Sequence, residues 1–211
     1  MLPQPLALFP LHSVLFPGGR LALRIFEPRY LDMVQRCIET GDPFGVINLI
    51  EGSEVRQRLE GSDGFQQERF HAVGTLAHLC HCERPQPGLI QLRARGGRRF
   101  RLNSSERLKH GLWMGAAEQL EEDHAVPVPP DLHPVAVLLQ GLVHTMEQGG
   151  SAEDMPLRPP YVWDDCGWLA NRWAELLPLQ PLERQHFLEL DNPLVRLELV
   201  ADHLEKLGIR G

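Results

Sequence analysis

The sequence predicts an α+β fold in which a β-rich unit carrying one helix precedes a unit made of helices alone. Three observations predict it. Residues 1–120 hold short apolar or alternating runs bounded by turn residues, whereas the residues after 131 repeat their apolar positions at helical spacing. The chain contains 18 prolines and 19 glycines, a turn supply that suits many short strands. Between the two patterns, residues 121–131 join acidic side chains to three prolines, the composition of a linker. The expected organisation is a β-rich domain over residues 1–122, a linker over 123–130 and a helical bundle over 131–211. A chain of 211 residues is long enough to give each domain a core.

Residues 5–9 and 21–26 read as strands, separated by a turn-rich stretch that ends in Phe16-Pro17-Gly18-Gly19. Glu27-Pro28 opens a helix, because a missing N–H costs nothing in the first turn. Leu31, Val34 and Ile38 share one face of it, and Gly41 supplies the stop. Phe44 to Ile50 is the next strand. Residues 51–68 are polar and aperiodic and read as an exposed loop. Phe70 to Cys82 is a long strand. Leu89 to Ala94 and Arg98 to Leu102 follow, with Gly96-Gly97 as the expected hairpin turn. Leu112 to Leu120 is the last strand.

In the second part, Asp131 caps a helix that runs to about Gln148, with Val135, Leu138, Leu139, Leu142, Val143 and Met146 facing inward. Asp164 or Asp165 caps a second, which carries Trp168, Leu169, Trp173, Leu176 and Leu177. A third spans Pro181 to Leu190. Asn192 caps a fourth, with Pro193 in its first turn and Leu194, Leu197, Val200, Leu204 and Leu207 as its stripe. A four-helix unit is the simplest packing of such stripes.

The net charge of -7 is uneven: the first 120 residues carry a small basic excess and the rest a strong acidic one. An acidic chain argues against nucleic acid as the partner, since neutralising phosphates needs a basic excess. The N-terminus has no basic residue before Arg20, and prolines 3, 5, 10 and 17 interrupt its apolar run, so no signal peptide is expected. Nor is there a run of about 18 apolar residues to span a bilayer. With Cys37, Cys80, Cys82 and Cys166 read as free thiols, the expected setting is the cytoplasm.

Leu8-Phe9-Pro10-Leu11 followed by Val14-Leu15-Phe16-Pro17-Gly18 resembles the opening of the N-terminal domain of Lon-type proteases. So does the stretch from Leu21 to Tyr30. Phe44-Gly45-Val46 after a Gly-Asp-Pro turn, Val73 to Ala77, the Arg-Arg-Phe-Arg run at 98–101 and Leu177 to Leu197 continue the likeness in order along nearly the whole chain. The resemblance implies a PUA-like β-barrel followed by a helical bundle, and a module that binds unfolded or partner polypeptides. Under that implication the candidate peptide-binding residues are Phe16, Phe26, Glu27, Arg29, Tyr30 and Phe44, with Trp163 and Trp168 in the helical part. Phe16, Phe26 and Phe44 also read as core residues, and Glu27, Arg29 and Tyr30 as a structural helix start, where a carboxylate suits the dipole.

No catalytic machinery is expected. Lys109 precedes His110 and Lys206 precedes Leu207, so neither lysine stands in a phosphate-binding loop. Neither has a recognisable peptidase context. Gly-x-Ser-x-Gly, His-Glu-x-x-His and Gly-x-Gly-x-x-Gly are absent. Two alternatives remain open. Strand alternation would put His78, Cys80 and Cys82 on one face and His71 and His81 on the other, a soft-ligand set for zinc, although Cys-x-Cys on a strand is not the usual zinc spacing. The arginines at 93, 95, 98, 99 and 101 could face RNA, as in other PUA-like proteins, although a solvated face is the favoured reading. No metal and no cofactor are expected.

Overall fold

The structure is a computed structural model that describes residues 2, 5–54, 68–149 and 157–209. It divides into two compact units, Met1–Glu122 and Asp123–Gly211.

The first unit is a six-stranded mixed sheet with one helix. The strands are β1 (Leu6–Leu11), β2 (Arg20–Ile25), β3 (Phe44–Glu51), β4 (Arg69–Gln86), β5 (Leu89–Arg107) and β6 (Trp113–Gln119), with α1 (Pro28–Thr40) between β2 and β3. The order is β2-β5-β4-β3-β1-β6, and β6 also pairs with β5, so the ladder returns to the strand it left. β1 and β3 are parallel and the other pairs antiparallel. β1 and β3 read as almost continuous apolar runs because both of their faces are covered. One face meets α1 through Phe9, Leu11, Phe44 and Val46, which pack with Tyr30, Met33, Val34 and Cys37. The other packs Leu6, Leu8 and Ile47 around Phe100 and Leu76.

α1 begins and ends as expected, with proline in its first turn and Gly41 in the left-handed conformation donating to the Cys37 carbonyl at 2.9 Å. Its buried face is rotated from the expected one. Tyr30, Met33, Val34 and Cys37 point inward, and Ile38 is exposed. Gly96-Gly97 is not a turn. β5 runs unbroken through both, and the β4–β5 turn is Pro87-Gly88, where Gly88 has φ 77. Gly96 is needed for a different reason. Gly18 donates to its carbonyl at 2.8 Å and it donates to Gly19 at 2.9 Å, so the 16–19 loop lies against the strand. A Cβ at Gly96 would sit 2.1 Å from the Phe16 carbonyl oxygen. The 55–67 part of the expected loop lies outside the described residues.

The second unit holds α2 (His133–Gly149), α3 (Cys166–Leu176), α4 (Pro181–Glu189) and α5 (Pro193–Lys206), with a 3-10 turn at Pro130–Leu132. α3 contacts α2, α4 and α5. Asp165 caps α3 by accepting from the Trp168 amide at 2.6 Å. Asn192 caps α5 through the Leu194 and Val195 amides. Glu183 accepts from the Gln180 amide at 2.8 Å, which closes the capping box of α4. The Pro-rich segment expected as a linker is tied to α3, because Val126 donates to Asp165 at 3.2 Å and accepts from the Cys166 amide at 2.9 Å. Arg196 on α5 is buried and donates to both carboxylate oxygens of Asp123, at 2.6 and 3.1 Å, and to Asn171 at 3.1 Å.

Removing one partner of a buried ion pair leaves the other charge without compensation, at a cost of about 3–5 kcal/mol. Arg196→Met is therefore expected to lower the urea midpoint of unfolding of the second unit by a corresponding amount. An unchanged midpoint would show that the pair contributes nothing.

Candidate functional site

The residues from Phe26 to Tyr30 form a corner where β2 passes into α1. Glu27 is the N-cap residue, and its carboxylate accepts from Arg29 Nε at 3.1 Å. Arg29 is buried; its Nη1 donates to the Gly111 carbonyl at 2.9 Å and lies 3.6 Å from the Glu68 carboxylate. Its guanidinium sits 4.5 Å from the centre of the Tyr30 ring, which stacks on Phe9 at 4.1 Å. Burial holds the Tyr30 hydroxyl well above its ordinary range, with the Arg29 charge acting against that rise. Trp113 Nε1 donates to the same Glu68. These contacts give Glu27, Arg29 and Tyr30 structural roles. Phe16 and Phe44 are fully buried, so neither ring offers surface to a partner. Phe26 differs: it is 57% exposed and borders a small pocket of about 120 Å³ lined by Phe9, Leu11, Leu23, Ile25 and Tyr30, with Arg24, Glu27 and Glu54 at its edge.

A larger cleft of about 530 Å³ opens on the other side of α1. Its apolar lining includes Ala7, Met33, Cys37, Leu108, Leu112 and Met114, and Asp32, Arg36, Asp42 and His110 also line it. The cleft was not legible in the sequence. Met33 and Cys37 stand one turn apart on α1, but nothing local pairs them with Leu108 and Met114. Burial, reinforced by Asp42, pushes the Cys37 thiol up to about 11, so it stays protonated near neutrality.

In the second unit, Trp163 and Trp168 are half-buried and pack edge to face at 5.0 Å. Tyr161 joins them at 4.9 Å from Trp163, and its hydroxyl donates to Glu147 at 2.9 Å. They form an aromatic cluster in front of α3. Trp173 ties α3 to α2 by donating to the Val135 carbonyl at 3.1 Å.

The His–Cys strand does not present the faces that simple alternation predicts. The ladder slips between Leu79 and His81, so Cys80 is the extra residue of a bulge. His78 and His81 lie opposite Arg95 and Arg93, whereas Cys82 lies opposite buried Leu92 and packs toward the core. His81 is 2.7 Å from the Glu83 carboxylate. Among the described residues, no three His, Cys, Asp or Glu side chains are grouped to hold a metal. Of the arginine run, Arg99 is buried, Arg98 pairs with Glu122 at 2.5 Å, and Arg93, Arg95 and Arg101 reach the surface. No helix among the described residues is long and apolar enough to cross a membrane.

The family profile of the ATP-dependent protease La (LON) substrate-binding domain matches residues 5–206. A Lon N-terminal domain protein from Xanthomonas campestris, known from its crystal structure, is 33% identical. The match covers 95% of this chain and 98% of that one, with a TM-score of 0.69. The N-terminal domain of Lon protease from the Mycobacterium avium complex is 14% identical, with 96% and 98% covered and a TM-score of 0.59, a likeness of fold alone. No protein of curated function matches the chain.

Truncating a buried phenylalanine costs about 3–5 kcal/mol, and truncating an exposed one changes stability by about 0.5 kcal/mol or less. Phe16→Ala is expected to destabilise the first unit in that range and Phe26→Ala to leave it nearly unchanged, as read by chemical denaturation. Equal losses would contradict the burial described.

Proposed function

The chain belongs to the ATP-dependent protease La (LON) substrate-binding domain family, and from that premise we propose that it is a non-catalytic module that binds unfolded or partner polypeptide segments. The observation that carries the reading is the cleft beside α1. It combines an apolar floor with a polar rim, the arrangement that takes an apolar side chain while hydrogen-bonding the chain around it. Two of its floor residues, Met33 and Met114, are unbranched and adapt to side chains of different shape, which suits a binder of varied sequences. Cys37 in its lining is kept as the thiol and is not poised as a thiolate nucleophile. On this reading the strand circuit is the PUA-like barrel, the helices of the second unit are the accompanying bundle, and the module works in the cytoplasm as an adaptor for proteolysis.

The test is fluorescence anisotropy with labelled β-casein, a chain without a stable fold. Binding to the unaltered protein is expected. Arg36→Trp, which sets an indole at the cleft mouth, and Leu108→Glu, which puts a charge on its half-buried wall, are each expected to weaken it by about tenfold. Affinity unchanged in both variants, with their unfolding midpoints intact, would remove the cleft as the site.

A further inference from the structure

We infer that the open edge of β2 is a second polypeptide site, which takes an extended segment with alternating acidic and apolar residues as an added strand. β2 ends the pairing order: it bonds to β5 along all of Arg20–Ile25, and among the described residues no strand occupies its other edge. An unoccupied edge presents a row of backbone donors and acceptors that an extended chain can pair with.

The side chains around the edge define the occupant. Arg20, Ala22 and Arg24 are exposed and alternate with half-buried Leu21 and Leu23. The register sets Arg95 opposite Arg20, Arg93 opposite Ala22 and Gln91 opposite Arg24. On the following strand, His78 and His81 lie opposite Arg95 and Arg93. One face therefore gathers four arginines and two histidines across three strands, and cross-strand like charges of this kind cost stability by themselves. Among the described residues, the acidic side chain that the strand register sets on this face is Glu83, already engaged with His81, and Arg20 has an interaction of its own, which leaves Arg24, Arg93 and Arg95 as the charges that select the occupant. A second copy of the chain is a poor occupant, because pairing β2 with β2 would bring Arg20 and Arg24 against more arginines. A segment with carboxylates at alternate positions matches the face. Its intervening apolar side chains would meet Leu21 and Leu23, and the pocket of about 120 Å³ beside Phe26 would accept one of them. Backbone pairing also favours a peptide over RNA, whose phosphates have no use for a strand edge.

The probe is a fluorescent peptide of about ten alternating Glu and Val residues, a typical strand length with ends. Binding to the full chain is expected, weakened by about tenfold when ionic strength rises from about 0.05 to 0.3 M. A Lys/Val peptide is expected not to bind, and Arg24→Glu with Arg93→Glu to lose the Glu/Val peptide. N-methylation of one alternate set of peptide amides is expected to abolish binding while the other set is tolerated, the signature of pairing along one edge. Equal binding of the Lys/Val peptide, tolerance of both N-methylated sets, or displacement of the peptide by an oligouridylate that binds more tightly would each overturn the inference. The inference rests on the module being a polypeptide binder. If casein still binds while the peptide does not, the β2 site alone falls; if neither binds, the functional reading falls with it.

Discussion

The buried guanidinium of Arg29 is the interaction on which the cleft and the small pocket of the first unit depend. A charge out of water must be matched by charge and hydrogen bonds, and Arg29 finds its matches on three separate segments. Glu27 fixes it at the start of α1, Gly111 brings in the turn before β6, and Glu68 brings in the approach to β4. The turn that holds Gly111 also carries Leu108, His110 and Leu112, three residues of the cleft. α1 supplies another wall through Met33, Arg36 and Cys37. The cleft is therefore the gap between two segments that one arginine holds at a fixed separation. Tyr30, against that guanidinium, forms part of the small pocket at the end of β2. One buried cation thus shapes the space on both sides of the helix.

Much of this fold was legible in the sequence where the signal is local. The α1 stop at Gly41, the Asn192 cap and the change from strand to helical spacing each follow from a few neighbouring residues. The order of segments resembling Lon N-terminal domains carried the family, which the profile and the Xanthomonas structure support. Local reasoning failed where a distant segment decides. Gly96-Gly97 looks like a turn, yet it is a strand that the 16–19 loop approaches too closely for any Cβ. Cys80 and Cys82 look like neighbours on one face, yet the bulge at Cys80 reverses the phase of everything after it.

The candidate site shows the same division. The resemblance to Lon N-terminal domains implied Phe16, Phe44 and Tyr30 as peptide-binding residues, whereas their core reading agrees with the burial of all three. Phe26, next to Ile25 in the sequence, is exposed because the strand's alternation carries it past the edge of the core. The cleft residues are ordinary core and surface types with no motif, and their meaning comes from the assembly of α1, β1, β6 and the 108–112 turn. The two methionines in the cleft lining, Met33 and Met114, are adaptable side chains that carry no motif.

Occupation of the cleft beside α1 by polypeptide is read out by mapping backbone amide hydrogen exchange of the full chain with and without saturating β-casein. Slowed exchange is expected in α1 and in the 108–114 segment, where amides flank the bound chain. Unchanged exchange in both segments while casein is bound would contradict occupation of the cleft.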